Sequence, residues 1–411
     1  MTKRLLLLAA LLAPIQASAQ ADLPVVRAGS RAVTIVDGHH VKKNYWYVQP
    51  ERSPEVYHVE IPRRAHKVTF ITDRESISFD VSFGSTHRFM IRLDDGRETV
   101  TEIRAVLKPM PEMNRNARAP ADPPSIPFTL GDNDKIYIQG RLNGGTPLSL
   151  QVDLGAGGAL IKKASVPKGN LTFDDSITLR NSDGVNVVPA SRSNLLAFDG
   201  VNWRRVHVAV ADNMTRREDG IVGNTLFLDK VLEIDFDRMR LTIHDSLPHV
   251  SSGWTREDIV LDGVVPFVRG RLKVGESIRD GWFMLDTGAY TSILHSEGLS
   301  KTTKLTGEMR RMLGPLGGSP VVPVIQVAGR TFADVNYSAR SFDGDSAALG
   351  LLGNDLLKRF NLILDNQQGA AYFRPSRTAA DAWRNPDRWV ARVPVVAVLL
   401  ACVAVIWRMN R

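Results

Sequence analysis

The stretch Phe283–Leu294, FMLDTGAYTSIL, decides how this chain is read. An apolar run ends on Asp286, Thr-Gly-Ala follows, and apolar residues resume. This is a strand breaking into a tight turn, with glycine allowing a sharp reversal. Alone, the pattern marks only a polar corner. A chemical role for Asp286 requires a second carboxylate elsewhere in the chain.

The chain repeats itself, and the repeat supplies that partner. From Lys135 the sequence reads KIYIQGRLNGGTPLSLQVDLGAGGALI, and from Val265 it reads VPFVRGRLKVGESIRDGWFMLDTGAYTSIL. Gly-Arg-Leu recurs at 140–142 and 270–272, and Asp-x-Gly-Ala recurs at 153–156 and 286–289. Leu160-Ile161 and Ile293-Leu294 follow at matching offsets. Later, GIVGNTLF begins at Gly220 and GLLGNDLL at Gly350, and each leads to an acidic strand ending at Asp235 or Asp365. Val-Val-Pro closes a turn-rich segment in both units, at 187–189 and 321–323. Two homologous β-units, 128–247 and 258–376, therefore each present one Asp-x-Gly loop.

Two such loops facing each other would bring two carboxyls together. Like charges that close cannot both ionise, so they share one proton. The ionised member can take a proton from water while the protonated member polarises a carbonyl, as amide hydrolysis requires. Gly155 and Gly288 would let the loops approach closely, and Thr287 could hydrogen-bond across the junction. The chemistry calls for no metal or organic cofactor. With both units in one chain, a monomer can hold a complete site.

The units resemble lobes of the pepsin and retropepsin aspartic protease superfamily, nearest its retropepsin-like bacterial branch in a two-lobed form. The resemblance covers about residues 127–376. It implies an all-β pair of barrel-like lobes with Asp153 and Asp286 as the catalytic dyad. Gly155, Thr287 and Gly288 would support the dyad, with Gly223 and Gly353 as bracing positions. Flap hairpins around Ser182 and Gly184, and around Gly314, Gly317 and Gly318, would close over an extended peptide or unfolded protein segment. Leu154 departs from the family, which places Thr or Ser there. Two readings follow: an active endopeptidase whose junction Thr287 holds alone, or a catalytically inactive peptide-binding or scaffold protein using the same cleft. Ala156 and Ala289 stand where some relatives carry a hydroxyl, which would favour the charged carboxylate. Its absence predicts a dyad that keeps its shared proton towards neutral pH.

The rest of the chain frames this pair. Its 411 residues exceed one ordinary core, and 43% hydrophobic with 23% charged residues reads as globular. A formal charge of +8, dispersed along the chain, argues against a nucleic-acid partner. Lys3-Arg4, the apolar run Leu5–Ile15 and Ala17-Ser18-Ala19 read as a signal peptide over 1–19. Residues 20–107 alternate apolar and polar in short runs, as in SISFDVSF, which predicts a small antiparallel β-domain. Six prolines from Pro109 to Pro127 predict a stiff linker over 108–127. The apolar stretch 389–407, followed by Arg408-Met-Asn-Arg411, predicts one transmembrane helix with a cytoplasmic C-terminus. The expected location is the cell envelope, with the body on the periplasmic side of the inner membrane. The single cysteine, Cys402, falls inside that span, so the body can form no disulfide. The scattered histidines of 20–107 show no metal-ligand spacing, and NYWYV at 44–48 reads as a strand. Arg63-Arg64 and Arg216-Arg217 read as solvated, and Asp219 as a turn residue.

Overall fold

The computed structural model describes residues 23–108, 110–115, 123–181, 184–212, 214–274, 276–295, 323–333, 337–340 and 348–381. The predicted signal peptide and transmembrane span, and Ser182, Gly314, Gly317 and Gly318, lie outside these residues. Among the described residues no helix is long and apolar enough to cross a membrane.

The N-terminal domain is a sandwich of two four-stranded sheets. One orders Val25–Ala28, Thr86–Leu93, Glu98–Arg104 and Glu55–His58; the other orders His40–Tyr47, Ala32–Asp37, His66–Ile71 and Ser76–Val81. Strict alternation puts Val33 and Ile35 of one strand and Val68 and Phe70 of its partner into the core. Phe70 is the hub, meeting Trp46, Tyr57 and Phe89 edge-on at 6.3, 5.6 and 5.0 Å. In NYWYV, Trp46 therefore turns inward while Tyr45 and Tyr47 stay exposed.

The repeat folds twice into one topology. In the first unit Leu148–Asp153 runs parallel to Gly220–Gly223, with Asp153 opposite Gly223. Gly220–Gly223 then pairs antiparallel with Ala159–Lys162, which runs parallel to Val201–Ala211. In the second, Ser277–Leu285 runs parallel to Ala348–Leu352, which pairs antiparallel with Ser292–His295, and that strand runs parallel to Tyr337–Arg340. The apolar pairs noted in the sequence meet in equivalent registers, Leu160 opposite Ile221 and Ile293 opposite Leu351.

A shared sheet joins the lobes. Its order is Ser125–Pro127, Arg240–His244, Val231–Asp235, Phe360–Asp365, Ala370–Pro375, Thr255–Asp262. The central pair, one strand from each repeat, is antiparallel with Val231 opposite Asp365 and Ile234 opposite Leu362. A pseudo-twofold axis thus runs between them.

The stretch 108–127 is not a bare spacer. Glu112–Arg115 pairs with Val201–Ala211, and Ser125–Pro127 forms the outer strand of the shared sheet. Proline is tolerated there because an edge strand needs no donor on its open side. The N-terminal domain also seats directly on the second lobe. Ile61 joins the core of the two lobes, His40 Nδ1 lies 3.2 Å from Leu261 O, and Arg64 pairs with Asp258 at 3.5 Å. Arg64 is thus a seam residue rather than a solvated one.

Candidate active site

Both loops leave their strands at the pseudo-twofold axis. Asp153 ends its strand, and Asp286 follows Leu285 directly, its N–H donating to Leu352 O at 3.1 Å. Matching turns fold each loop back: Ala156 N donates to Asp153 O at 3.1 Å and Ala289 N to Asp286 O at 3.2 Å. The reason for both glycines lies in the opposite lobe. A Cβ on Gly155 would stand 2.7 Å from the Asp286 carboxyl carbon, and one on Gly288 would overlap the Asp153 carboxylate. The two carboxyls and the two glycine backbones therefore interlock.

The carboxyls differ electrostatically. Asp286 Oδ1 accepts from the N–H groups of Gly288 and Ala289, both at 2.9 Å. Asp153 Oδ1 is buried without a hydrogen-bond donor among the described residues. Burial first, then the charge and hydrogen bond of Asp286, push the Asp153 carboxyl well above the usual carboxylate range. Burial also raises Asp286, but its two backbone donors and the hydrogen bond from Asp153 pull it back. The asymmetry of donors favours the shared proton on Asp153 and the charge on Asp286.

Thr287 bridges the lobes. Its fully buried Oγ1 accepts from Leu154 N at 2.9 Å and donates to Val152 O at 2.8 Å, both in the other repeat. Leu154 makes no reciprocal side-chain bond; it packs into the lobe core instead. The junction is held by half of a symmetric pair of hydrogen bonds.

Gly223 and Gly353 stand where the loops are braced. A Cβ on Gly223 would meet the backbone of Ala156 and Gly158, and one on Gly353 the backbone of Thr291 and Ser292. The residues that follow them were missed as functional. Asn354 Nδ2 donates to Thr287 O at 2.7 Å, holding the bridging residue in place. Asn224 bonds Val264 O at 2.7 Å and exchanges hydrogen bonds with Asn366 at 3.1 Å, tying one lobe to the other. The signal was present, since Gly-Asn recurs in both repeats at equal distance from the acidic strand. Asp355 accepts from Ser292 N and Oγ at 3.1 and 2.9 Å, and burial pushes its carboxyl up to about 6.

Asp219 is more than a turn residue. It accepts from Ser149 N at 2.9 Å and from Ser165 Oγ and Lys168 Nζ at 2.6 Å each, stitching three segments of the first lobe together.

A cleft of about 1090 Å³ opens above the dyad. Its wall includes the hairpin Asp175–Asn181/Gly184–Phe198, in which Asn181 faces Gly184 across the tip and Ile177 and Leu179 line the cleft. This hairpin, the first one the sequence predicts as a flap, borders the cleft that holds the dyad; Ser182 and the second predicted flap fall outside the described residues. Lys135, Gln151 and Glu218 line the same cleft on the first lobe, and Met110 and Pro111 reach it from the linker.

No family model matches the chain, and no curated protein matches it by sequence. Among solved structures it is similar to the crystal structure of aspartic proteinase from Irpex lacteus. The TM-score is 0.48 and the identity 12%, over 64% of this chain and 99% of that one.

Proposed function

We propose that this chain is an aspartic-type endopeptidase that hydrolyses peptide bonds in extended or unfolded segments. The interlocked dyad carries the reading: two carboxyls from two repeats, one protonated and one ionised, at the floor of an open cleft. Asp286 takes a proton from an attacking water while Asp153 donates its own to the substrate carbonyl oxygen, giving a tetrahedral diol. Collapse returns a proton to the leaving nitrogen and restores one shared proton. The flap strand Asp175–Asn181 ends the sheet among the described residues, an edge suited to backbone pairing with an extended chain.

The test is cleavage of an unfolded protein from about pH 3.5 to about pH 8, with Asp153→Asn and Asp286→Asn as controls. Cleavage lost in both variants supports the proposal. Cleavage retained in either would overturn it.

One observation favours a second reading, an inactive peptide-binding module: Leu154 leaves half the junction unbridged. That reading expects equal silence from wild type and controls, with peptides still bound in the cleft. The signal-like 1–19 and the apolar 389–407 with its basic tail are the support for export and tethering to a membrane. Protease digestion of intact cells and of opened envelopes would test that placement.

A further inference from the structure

We propose that Lys135 makes this cleft select peptides with a carboxylate side chain on the first-lobe side of the scissile bond; the inference rests on the cleft being a peptide site. Gln151 lies on the dyad strand two residues before Asp153, so the two side chains share a face. Lys135 Nζ donates to Gln151 Oε1 at 3.1 Å and to Glu218 Oε1 at 3.3 Å. An ammonium has three donors, and no third acceptor engages this one among the described residues.

The pair is asymmetric. Glu218 is sealed, its side chain 1% exposed against 18% for Lys135. Its oxygens are also taken by Tyr137 OH at 3.0 Å and Thr215 N at 2.5 Å. A substrate therefore meets the cation and not its counter-ion. Lys135 lines the same cleft as the dyad and is near enough to favour the charged forms of both Asp153 and Asp286.

The neighbouring wall has the same sign. Apart from the dyad, the charged or ionisable residues lining the cleft among the described residues are Lys135, Arg205, His207 and the sealed Glu218. Arg205 leans outward to Glu112 at 2.8 Å and His207 lies 3.7 Å from Asp175, so Lys135 is the cation held over the cleft floor. A substrate carboxylate can supply the missing acceptor; an apolar side chain leaves the ammonium desolvated and one bond short.

The experiment profiles cleavage of a peptide library by the purified full chain, in wild type, Lys135→Gln, Lys135→Arg and Glu218→Gln. Wild type is expected to favour Asp or Glu within a few residues on one side of the cut. Lys135→Gln should lower the acidic-to-neutral ratio of kcat/KM by about tenfold, as loss of one charge-assisted bond implies. Lys135→Arg should restore the ratio, and Glu218→Gln should raise it by leaving the cation uncompensated. No acidic preference in wild type, or one unchanged in Lys135→Gln, overturns the proposal. A parallel arm measures binding of matched acidic and neutral peptides to Asp286→Asn by fluorescence anisotropy, with and without Lys135→Gln. Lys135-dependent acidic binding without wild-type cleavage sustains the subsite and sinks the protease. Absence of both sinks the two together.

Discussion

Thr287 is the residue on which the junction depends. Its hydroxyl satisfies one buried N–H and one buried carbonyl of the other repeat. Thr287→Val keeps the shape and strands both groups, each costing about 1–3 kcal/mol. Denaturant unfolding should show about 2–6 kcal/mol lost, with cleavage falling in parallel; a change below about 0.5 kcal/mol would mean the bridge carries no weight. Leu154→Thr is not expected to restore symmetry for free, because Leu154 is fully buried in apolar core. Loss of that side chain should cost about 2 kcal/mol or more in the same measurement. The alanines bear on pH. With Asp153 held protonated by burial and by Asp286, the alkaline limb of activity should stand nearer neutrality than free carboxyls would give. Ala289→Ser would place a hydroxyl on the residue whose N–H already serves Asp286, favouring its ionised form. The acidic limb of kcat/KM should then move to lower pH, and an unmoved limb would show that position 289 does not tune the dyad.

At the scale of strands and loops, the sequence was legible where the repeat spoke twice. Asp153 and Asp286, their glycines and the paired apolar positions could be aligned against each other, so the two lobes needed no outside reference. The strands Glu112–Arg115 and Ser125–Pro127 could not be seen, because neither EMNR nor SIP carries an apolar alternation; their pairing comes from exposed edges elsewhere. The Lys135–Gln151–Glu218 cluster was equally hidden, having no counterpart in the second repeat and no local spacing. Asp355 shows what lies between these cases. It follows the repeated Gly-Asn, yet its role is visible only through Ser292, 63 residues earlier. Its folded carboxyl, at about 6, stands above the ordinary aspartate value of 3.8, so the native state binds this proton more tightly. Stability from this group is present below about pH 4 and is lost as pH rises towards 6, by about 3 kcal/mol in all. Asp355→Asn should therefore narrow the gap in melting temperature between mildly acidic and neutral pH. A gap unchanged from wild type would place the slope on other groups.

The whole molecule joins three packed units by two kinds of seam. The lobes share a continuous sheet, so they should unfold together. The N-terminal sandwich is joined more locally, through the loop that carries Ile61 and Arg64 and through the strand that carries His40 and Lys42, and no periodicity in the sequence announces those contacts. Ile61 reaches the hairpin at Gly369, whose left-handed turn leaves its side chain room; a Cβ there would stand 2.6 Å from Ile61 Cδ1. Beside it lies a charged lining. His66 has an acceptor on each ring nitrogen, Arg64 O at 2.6 Å and Asp37 Oδ1 at 2.5 Å, an arrangement that favours the imidazolium. Burial opposes that charge, but the Asp37 hydrogen bond and charge outweigh it and raise the His66 pKa. The stabilisation is fully present below the unfolded value of about 6.5 and lost as pH rises through the folded one. Ile61 is the apolar half of the same seam. Ile61→Ala should cost the docked arrangement about 2–5 kcal/mol while leaving the sandwich core, built on Phe70, intact. Calorimetry should then resolve a separate, lower transition for the sandwich, and the separation should widen as pH rises through the raised folded pKa of His66. One unsplit transition in Ile61→Ala at every pH would mean that the sandwich is coupled to the lobes through the linker strand Glu112–Arg115 and not through this seam.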